Sequence, residues 1–555
     1  MTIHTETWWQ DIEADNVCNQ WLSGTSKLAQ TALIHALQHP TSRELLQYQN
    51  LIKILVSLPN VQWNIIYSKY QTLYKLEDQL YQVLYSDKPE TDSDILFTKY
   101  NFLTRWNESS WFHQFWTCYI IYLQPFSTFF LPIFVTILQF LFYRIFGKLS
   151  ILPFQTYIKH ICYQFLGIDI IINRHCYSFQ QFIFLLLRKW ITVWLYFYSI
   201  WNTIYHSYSL QKRASGIFHQ FHLLNEWFQT IQSFAKDIQY PYTFDESIQF
   251  VNQEFGQFLN TPPNHFLWPP TNYFVPAQCW ASWARWKRII PTTETFQLQA
   301  GKLLAIFHLA SLVRKQTQIN PIGFANWDTK KSYHWKQGWH PSFLGQSVQL
   351  QGYKYSNKRR FTLIMGPNAS GKTTFLKMAS WIHWMAQAWG ICPATNVHLQ
   401  WVEHFWSWVR VPDQTGKESM FEAEVKRAQK ILDCLKQINH ETAWVWMDEV
   451  FGSTNWEESN ICAYTTLKQM LKQHSGVIGG CTTHMKWLSK LKHGIRKIHF
   501  PMIYKHPNWI PSYHWEKGIG KQNLALQWIK QKKYMSDEWN QEAQKIYQKR
   551  KKCAF

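Results

Sequence analysis

The stretch Gly366-Pro367-Asn368-Ala369-Ser370-Gly371-Lys372-Thr373-Thr374 constrains this chain more than any other. It fits the phosphate-binding loop pattern of Gly, four residues, Gly, Lys and Ser or Thr. The apolar run Phe361-Thr362-Leu363-Ile364-Met365 before it reads as a buried strand. After it, Phe375, Met378, Ala379 and Ile382 fall at spacings that predict a helix. Strand, Gly-rich turn and helix N-terminus together make an anion site, because unpaired backbone N–H groups and the helix dipole converge on one point. Lys372 would reach the outer phosphates of a nucleotide, and the Thr373 hydroxyl would bind Mg²⁺. Without its flanking strand and helix the same pattern would be an ordinary Gly-rich turn.

The chain has 555 residues, room for roughly two to four domains. Aromatic residues make up 18%, which excludes a disordered chain. A formal net charge of +21 predicts an acidic partner, either nucleic acid or an anionic membrane surface. The 10 Cys include no Cys-x-x-Cys pair, and the acidic stretch Met1 to Asp15 has no apolar signal core. Both point to a reducing compartment without a zinc site or a disulfide framework. The tail Lys549-Arg550-Lys551-Lys552-Cys553-Ala554-Phe555 is one residue short of a prenylation signal and reads as a solvated basic tail.

Residues 1–115 read as the first part of a helical core and lever domain. Residues 116–210 hold two apolar segments joined by a basic loop. No Asp, Glu, Lys or Arg occurs from Ser109 to Tyr143, and Tyr119 to Phe142 is long enough to cross a bilayer, which takes roughly 20 apolar residues. Pro125 and Pro132 would kink it. The second segment covers Phe182 to Tyr208, with the uncharged run Trp190 to Tyr208. Trp and Tyr crowd both, as at headgroup level. A pair of buried aromatic helices, or an interfacial hairpin, is the alternative. Residues 211–320 resume the helical domain, with helical patterns at Phe218 to Phe234, Phe244 to Phe258 and Thr295 to Gln316. Residues 321–530 form the nucleotide-binding domain, an α/β unit, and 531–555 a basic helical tail.

Two further signals follow the loop. Trp444-Val445-Trp446-Met447-Asp448-Glu449 is an apolar strand ending in two carboxylates. Asp448 would hold Mg²⁺ opposite Thr373, and Glu449 would polarise the attacking water. Gly476 to His484 is another apolar strand, ending in an imidazole that could reach the γ-phosphate. Ser419, with Glu422 three residues on, reads as a helix N-cap with a capping box. Trp339 and His340, just ahead of the loop, are the candidates for stacking on adenine.

The runs Gly366 to Thr374, Ala386 to Ala394, Ser419-Met420-Phe421-Glu422-Ala423-Glu424, Met447-Asp448-Glu449 and Thr482-Thr483-His484 resemble the MutS ATPase domain in order and spacing. Tyr513 to Gly518, with Asn523 and Ala525 after it, looks like that family's last strand and docking helix. Thr25 to Leu55 is similar, more weakly, to the start of its core and lever domain. The resemblance implies an ABC-type, P-loop NTPase fold and a dimer with two composite ATP sites. Lys372, Thr373, Asp448 and Glu449 of one subunit would then meet Ser419 of the other across the γ-phosphate. Glu449, Lys372 and His484 would carry catalysis. Gly366 to Thr374 with Ser419 would bind ATP, and Thr373 with Asp448 would hold Mg²⁺.

The sequence departs from the family's mismatch-repair members in three places. Few residues precede the core-like segment at Thr25, so a mismatch-reading wedge is not expected. Two apolar segments stand where the family's core projects a DNA-gripping clamp. The loop Val450-Phe451-Gly452-Ser453-Thr454-Asn455 replaces the usual Gly-Arg-Gly-Thr. The pattern looks most like shortened, membrane-associated MutS-related proteins. The expectation is a homodimeric, DNA-binding ATPase related to mismatch repair or recombination, anchored in a membrane with its ATPase domain on the cytoplasmic side. A soluble intracellular protein is the alternative location. The competing functions are an ABC-type ATPase driving a membrane process, disfavoured because Gly416-Lys417-Glu418-Ser419 is not a transporter signature, and an ATP-dependent scaffold that does not hydrolyse.

Overall fold

The computed structural model describes residues 2–3, 8–40, 42–80, 109–146, 153–242, 274–289, 294–315, 320–327, 333–355, 359–409, 419–438, 441–492, 494–506, 508–520 and 525–553, with isolated positions between 106 and 253. The expected helix Phe244 to Phe258, Gly416-Lys417-Glu418 and Asn523 lie largely or wholly outside them. The chain forms two compact units, one of residues 1–67 with 298–555 and one of residues 68–297.

The first unit holds the strands. In chain order they are β1 (Thr2–Ile3), β2 (Gly323–Trp327), β3 (Tyr333–Gly338), β4 (Gln351–Tyr355), β5 (Phe361–Met365), β6 (Ile391–Cys392), β7 (Thr395–Leu399), β8 (His404–Trp408), β9 (Ala443–Asp448), β10 (Val477–Thr482), β11 (Ile495–His499), β12 (Met502–Lys505), β13 (Asn508–Pro511) and β14 (Glu516–Lys517). A seven-stranded sheet runs in the order β1-β8-β9-β10-β5-β11-β14, parallel except for β14. A second sheet runs β4-β3-β7-β2-β6, and β12 pairs with β13 alone.

The central strands are apolar throughout because both faces of the larger sheet are covered. Phe361, Leu363 and Met365 of β5 and Ala443, Val445 and Met447 of β9 pack with Ile431, Leu435 and Leu467 from helices Met420–Gln437 and Trp456–Gln473. The alternate residues face the helix Lys372–Trp389, which touches β9 and β10 of this sheet and β3 and β6 of the second. That helix is buried almost all round, as its apolar composition requires. Gly479 in β10 is the close-approach point, since a Cβ there would meet the Val445 carbonyl oxygen at 1.9 Å.

The N-terminal helices pack onto this unit rather than forming part of a separate lever. Trp381 Nε1–H donates to the Ile12 carbonyl at 3.1 Å and Trp389 Nε1–H to the Leu33 carbonyl at 3.1 Å. Gln49 Nε2 donates to the carbonyls of Ala325 and Gly390 at 2.7 and 2.9 Å. The buried Asp11 carboxylate accepts from the Ser407 hydroxyl at 2.6 Å and pairs with Arg427. The division into compact units cuts across the segments 1–115 and 211–320, taking residues 1–67 and 298 onward into this unit.

The second unit is helical. One helix spans Phe179–Ile238, 60 residues, so the 210/211 boundary falls inside an unbroken helix. Its C-terminal half buries Leu210, Ala214, Ile217, Phe221, Leu224, Phe228 and Ile231 at spacings of three and four. Its N-terminal half differs. An 18-residue window there is apolar and long enough to cross a membrane, with 6% of it buried. The first apolar segment is a helix Ser110–Cys118, a π-turn Tyr119–Leu123 and a helix Gln124–Phe146. It bends by 44° between Leu131 and Ile133, at Pro132. Phe296–Lys315 is also long and apolar enough to cross a membrane, but its most apolar stretch is 72% buried, so it is a core helix.

Candidate active site

The loop Gly366 to Thr374 leaves the C-terminal end of β5 and enters the helix that begins at Lys372. Gly371 has φ +100°, a conformation that favours glycine, and turns the chain into the first helical turn. That turn leaves its N–H groups without partners inside the helix. The Ser370 hydroxyl is buried in the loop with no hydrogen-bond partner. An orphaned buried hydroxyl beside such N–H groups fits an anion such as a phosphate.

The side chains expected at the site converge on the loop. Lys372 is 4% exposed; its ammonium donates to the Pro367 carbonyl at 3.0 Å and lies 3.2 Å from His484 Nε2 and 3.7 Å from Glu449 Oε1. Thr373 Oγ1 donates to Asp448 at 3.0 and 3.2 Å. His484 Nε2 is 2.8 Å from Glu449 Oε1. Strand register explains this convergence, since β9, β10 and β5 lie side by side in that order and end together, with Thr482 opposite both Asp448 and Ile364.

Environment sets the charges. Burial raises the Asp448 carboxyl above its usual range, against the hydrogen bonds from Thr482 and Thr373. The His484 hydrogen bond lowers Glu449, with Lys372 adding to it. Burial lowers the Lys372 ammonium, opposed by Glu449 and Asp448. Asp448 and Thr373 present hard oxygen donors, which suit Mg²⁺.

Glu449 sits at φ 46° and Phe451 at φ 58°, two non-glycine residues in the left-handed region. Phe451 is held there by burial against Trp408 and Phe421, so the altered loop after Glu449 is anchored in the core.

Ser419 stands apart from this cluster. It is exposed and caps the helix Met420–Gln437, accepting from Glu422 N–H at 3.2 Å. The reciprocal half of the capping box is not what the Glu422 carboxylate makes; it pairs with Lys426 at 3.0 Å. Trp339 is 1% exposed, stacks on Trp21 and donates Nε1–H to the Pro321 carbonyl, which makes it a core residue rather than a base-stacking one. His340 caps a short 3₁₀ turn through Nδ1, and burial pushes its imidazole down to about 4. Beside the loop lies a cavity of about 560 Å³, lined among others by His340, Phe343, Gln351, Thr374, Met378 and Tyr513.

Three residues had no site role assigned from sequence. Thr482 Oγ1 donates to Asp448 and accepts from Glu449 N–H at 3.2 Å. The buried Glu424 accepts from Gly452 N–H at 3.2 Å and from Ser453, tying the loop after Glu449 to the Ser419 helix. Tyr513 presents an exposed ring beside Gly371. All three lie in runs that resemble the MutS ATPase domain, and that resemblance was the signal they carried.

Residues 362–549 match the family model MutS domain V. The DNA mismatch repair protein MutS of Thermotoga petrophila is 30% identical over 172 residues, 30% of this chain and 20% of that protein. The corresponding protein of Treponema pallidum is 29% identical over 152 residues, 27% of this chain and 16% of its own length. Endonuclease MutS2 of Thermus thermophilus is 25% identical over 229 residues, 40% of this chain and 30% of that protein. The chain thus spans about a fifth of the length of the first of these relatives. Over residues 362–549 this chain thus matches MutS domain V, and it is similar there to MutS and MutS2 proteins.

Proposed function

We propose that this chain is an ATPase of P-loop type that works as a dimer, acts on DNA and is held at a membrane. One observation carries the hydrolytic part: the Glu449 carboxylate is kept between Lys372 and His484, 3.7 and 2.8 Å away, at the mouth of a loop built for phosphate. A carboxylate held ionised there can orient and polarise a water attacking the γ-phosphate. Lys372 would supply charge to the outer phosphates of a bound nucleotide, and the backbone N–H groups of the loop, with Ser370 Oγ, would cradle the inner ones. Thr373 and Asp448 would hold Mg²⁺, which neutralises charge between the outer phosphates. Ser419, exposed at a helix N-terminus and away from its own subunit's cluster, is suited to meet the nucleotide of a second copy.

The DNA partner rests on the charge of +21 and on relatives named as mismatch repair proteins. The membrane reading rests on exposed apolar side chains along Gln124–Phe146 and the first half of Phe179–Ile238, such as Phe126, Phe134, Phe184, Trp194 and Trp201. Two such segments form a hairpin that keeps the domain holding the loop on the cytoplasmic side, where ATP is.

Glu449→Gln is the test. It should lower turnover by about 10²–10⁴-fold while nucleotide binding and dimerisation in ATP persist. Turnover equal to wild type would remove Glu449 from the reaction, and a wild-type protein that binds ATP without turnover would favour the scaffold reading.

A further inference from the structure

A cavity of about 690 Å³ opens at the opposite end of the larger sheet from the phosphate loop. Six cations line it, Lys354, Arg359, Lys492, Arg496, Lys497 and Lys517, together with Ile495 and Gly518. Its position follows from register: Ile495 lies opposite Phe361 at the start of β5, whereas the loop leaves after Met365. At about 3.3 Å per residue the two sites are on the order of 15 Å apart.

The cavity is built as well as charged. The Arg496 guanidinium is sandwiched between the rings of Trp515 at 4.7 Å and Tyr353 at 5.3 Å, and it donates to the Lys354 carbonyl. Trp515 is fixed in turn by its Nε1–H bond to the Gly352 carbonyl at 2.8 Å. The Lys497 ammonium donates to the Ser489 carbonyl. Lys354, Arg359, Lys492 and Lys517 are exposed around these two. No carboxylate is among the described lining residues, and the adjacent Glu516 carboxylate lies 3.6 Å from His499 Nε2. Six like charges around one recess repel one another, a cost that a polyanion would offset.

We infer that this recess is a binding site for the phosphodiester backbone of DNA, separate from the ATP site. Evenly spaced phosphates match a ring of Lys and Arg without requiring base readout. A headgroup-docking surface would set Trp, Phe or Leu around the cations to enter the acyl boundary. Here Ile495, the one large apolar residue among the described lining residues, is buried, and the Trp515 ring is stacked under Arg496. The inference rests on the reading of DNA as a partner.

The test uses the full chain in neutral detergent micelles with a fluorescent duplex, titrated across a salt series. Lys492→Glu with Lys517→Glu, and the milder Lys492→Gln with Lys517→Gln, should weaken binding at low salt by on the order of tenfold or more. They should also reduce the log–log salt slope by roughly 2, as expected for two lost phosphate contacts. Basal ATPase activity and the thermal transition should stay at wild-type values. If wild type binds duplex but both variants keep its affinity and slope, the site is elsewhere and the inference falls while the DNA reading stands. If wild type binds no duplex at low salt, both fall. If the variants lose binding to micelles doped with anionic lipid while their DNA curves stay unchanged, the recess is a lipid site and the inference is overturned.

Discussion

His484 Nε2 lies 2.8 Å from Glu449 Oε1, and this hydrogen bond is the main reason the Glu449 carboxyl titrates below its usual range. A group with a lowered folded pKa contributes stability above its unfolded value and loses it as pH falls through the folded one. The same bond keeps Glu449 ionised, as a water-polarising role requires. His484→Ala should therefore move the acid limb of the kcat profile to higher pH, and should slow turnover by about tenfold, roughly 1.4 kcal/mol. An unmoved acid limb would separate His484 from the ionisation of Glu449.

Asp448 behaves in the opposite sense. Burial raises its carboxyl, so the folded apo protein holds the proton more tightly than the unfolded chain does. That contribution is fully present below the unfolded value and is lost as pH rises through the folded one. At neutral pH the ionised carboxylate costs stability and is retained for its function. Asp448→Asn should raise Tm in the absence of nucleotide and Mg²⁺, with the gain shrinking as pH falls into the carboxylate range. It should also abolish the further stabilisation that Mg-ATP gives wild type. A lower apo Tm in the variant would contradict this account.

Glu424 is buried and accepts from Gly452 and Ser453, the loop that follows Glu449. Glu424→Ala leaves those donors without their acceptor, at a cost on the order of 2 kcal/mol. Denaturant unfolding should show that loss, and kcat should fall with little change in nucleotide affinity, because the loop carries Glu449 rather than the phosphate cradle. Glu424→Gln, which keeps one carbonyl oxygen, should recover part of both. Equal Kd and kcat in wild type and Glu424→Ala would leave Glu424 without a positioning role.

The central strands were legible because a strand covered on both faces must be apolar throughout; β5, β9 and β10 read from sequence close to where they fold. The cluster at their ends followed, since Asp448, Glu449 and His484 are polar residues closing apolar runs. The role of Glu424 was not legible, because a Glu on a charged helix reads the same whether it is solvated or turned inward. Trp339 failed for a similar reason: nothing in sequence separates an indole in the core from one over a base. Glu422 stood where a capping box needs it, yet Lys426 one turn on offered its carboxylate a charged partner. The unit boundaries were hidden because 67/68 and 297/298 both fall inside helices, Asn60–Gln79 and Glu294–Lys315, whose periodicity passes through without a break. β1 is two residues long, too short for any pattern, and its place beside β8 is set by pairing across the fold.

The apolar helices give the last prediction. Leu138 and Leu195 are half-exposed on Gln124–Phe146 and Phe179–Ile238. Leu304, on the equally apolar Phe296–Lys315, is fully buried. Arginine at the centre of a membrane-inserted helix costs roughly 2.5–3.5 kcal/mol on insertion scales, whereas arginine in a packed core leaves an unpaired buried charge. Leu138→Arg and Leu195→Arg should therefore lower the fraction of full-length protein that stays with membranes after a carbonate wash, and leave the ATPase rate of the solubilised protein intact. Leu304→Arg should instead abolish the cooperative thermal transition and turnover together. Wild-type protein released completely by carbonate would show that neither segment is inserted, and the exposed apolar faces would then have to be covered by protein.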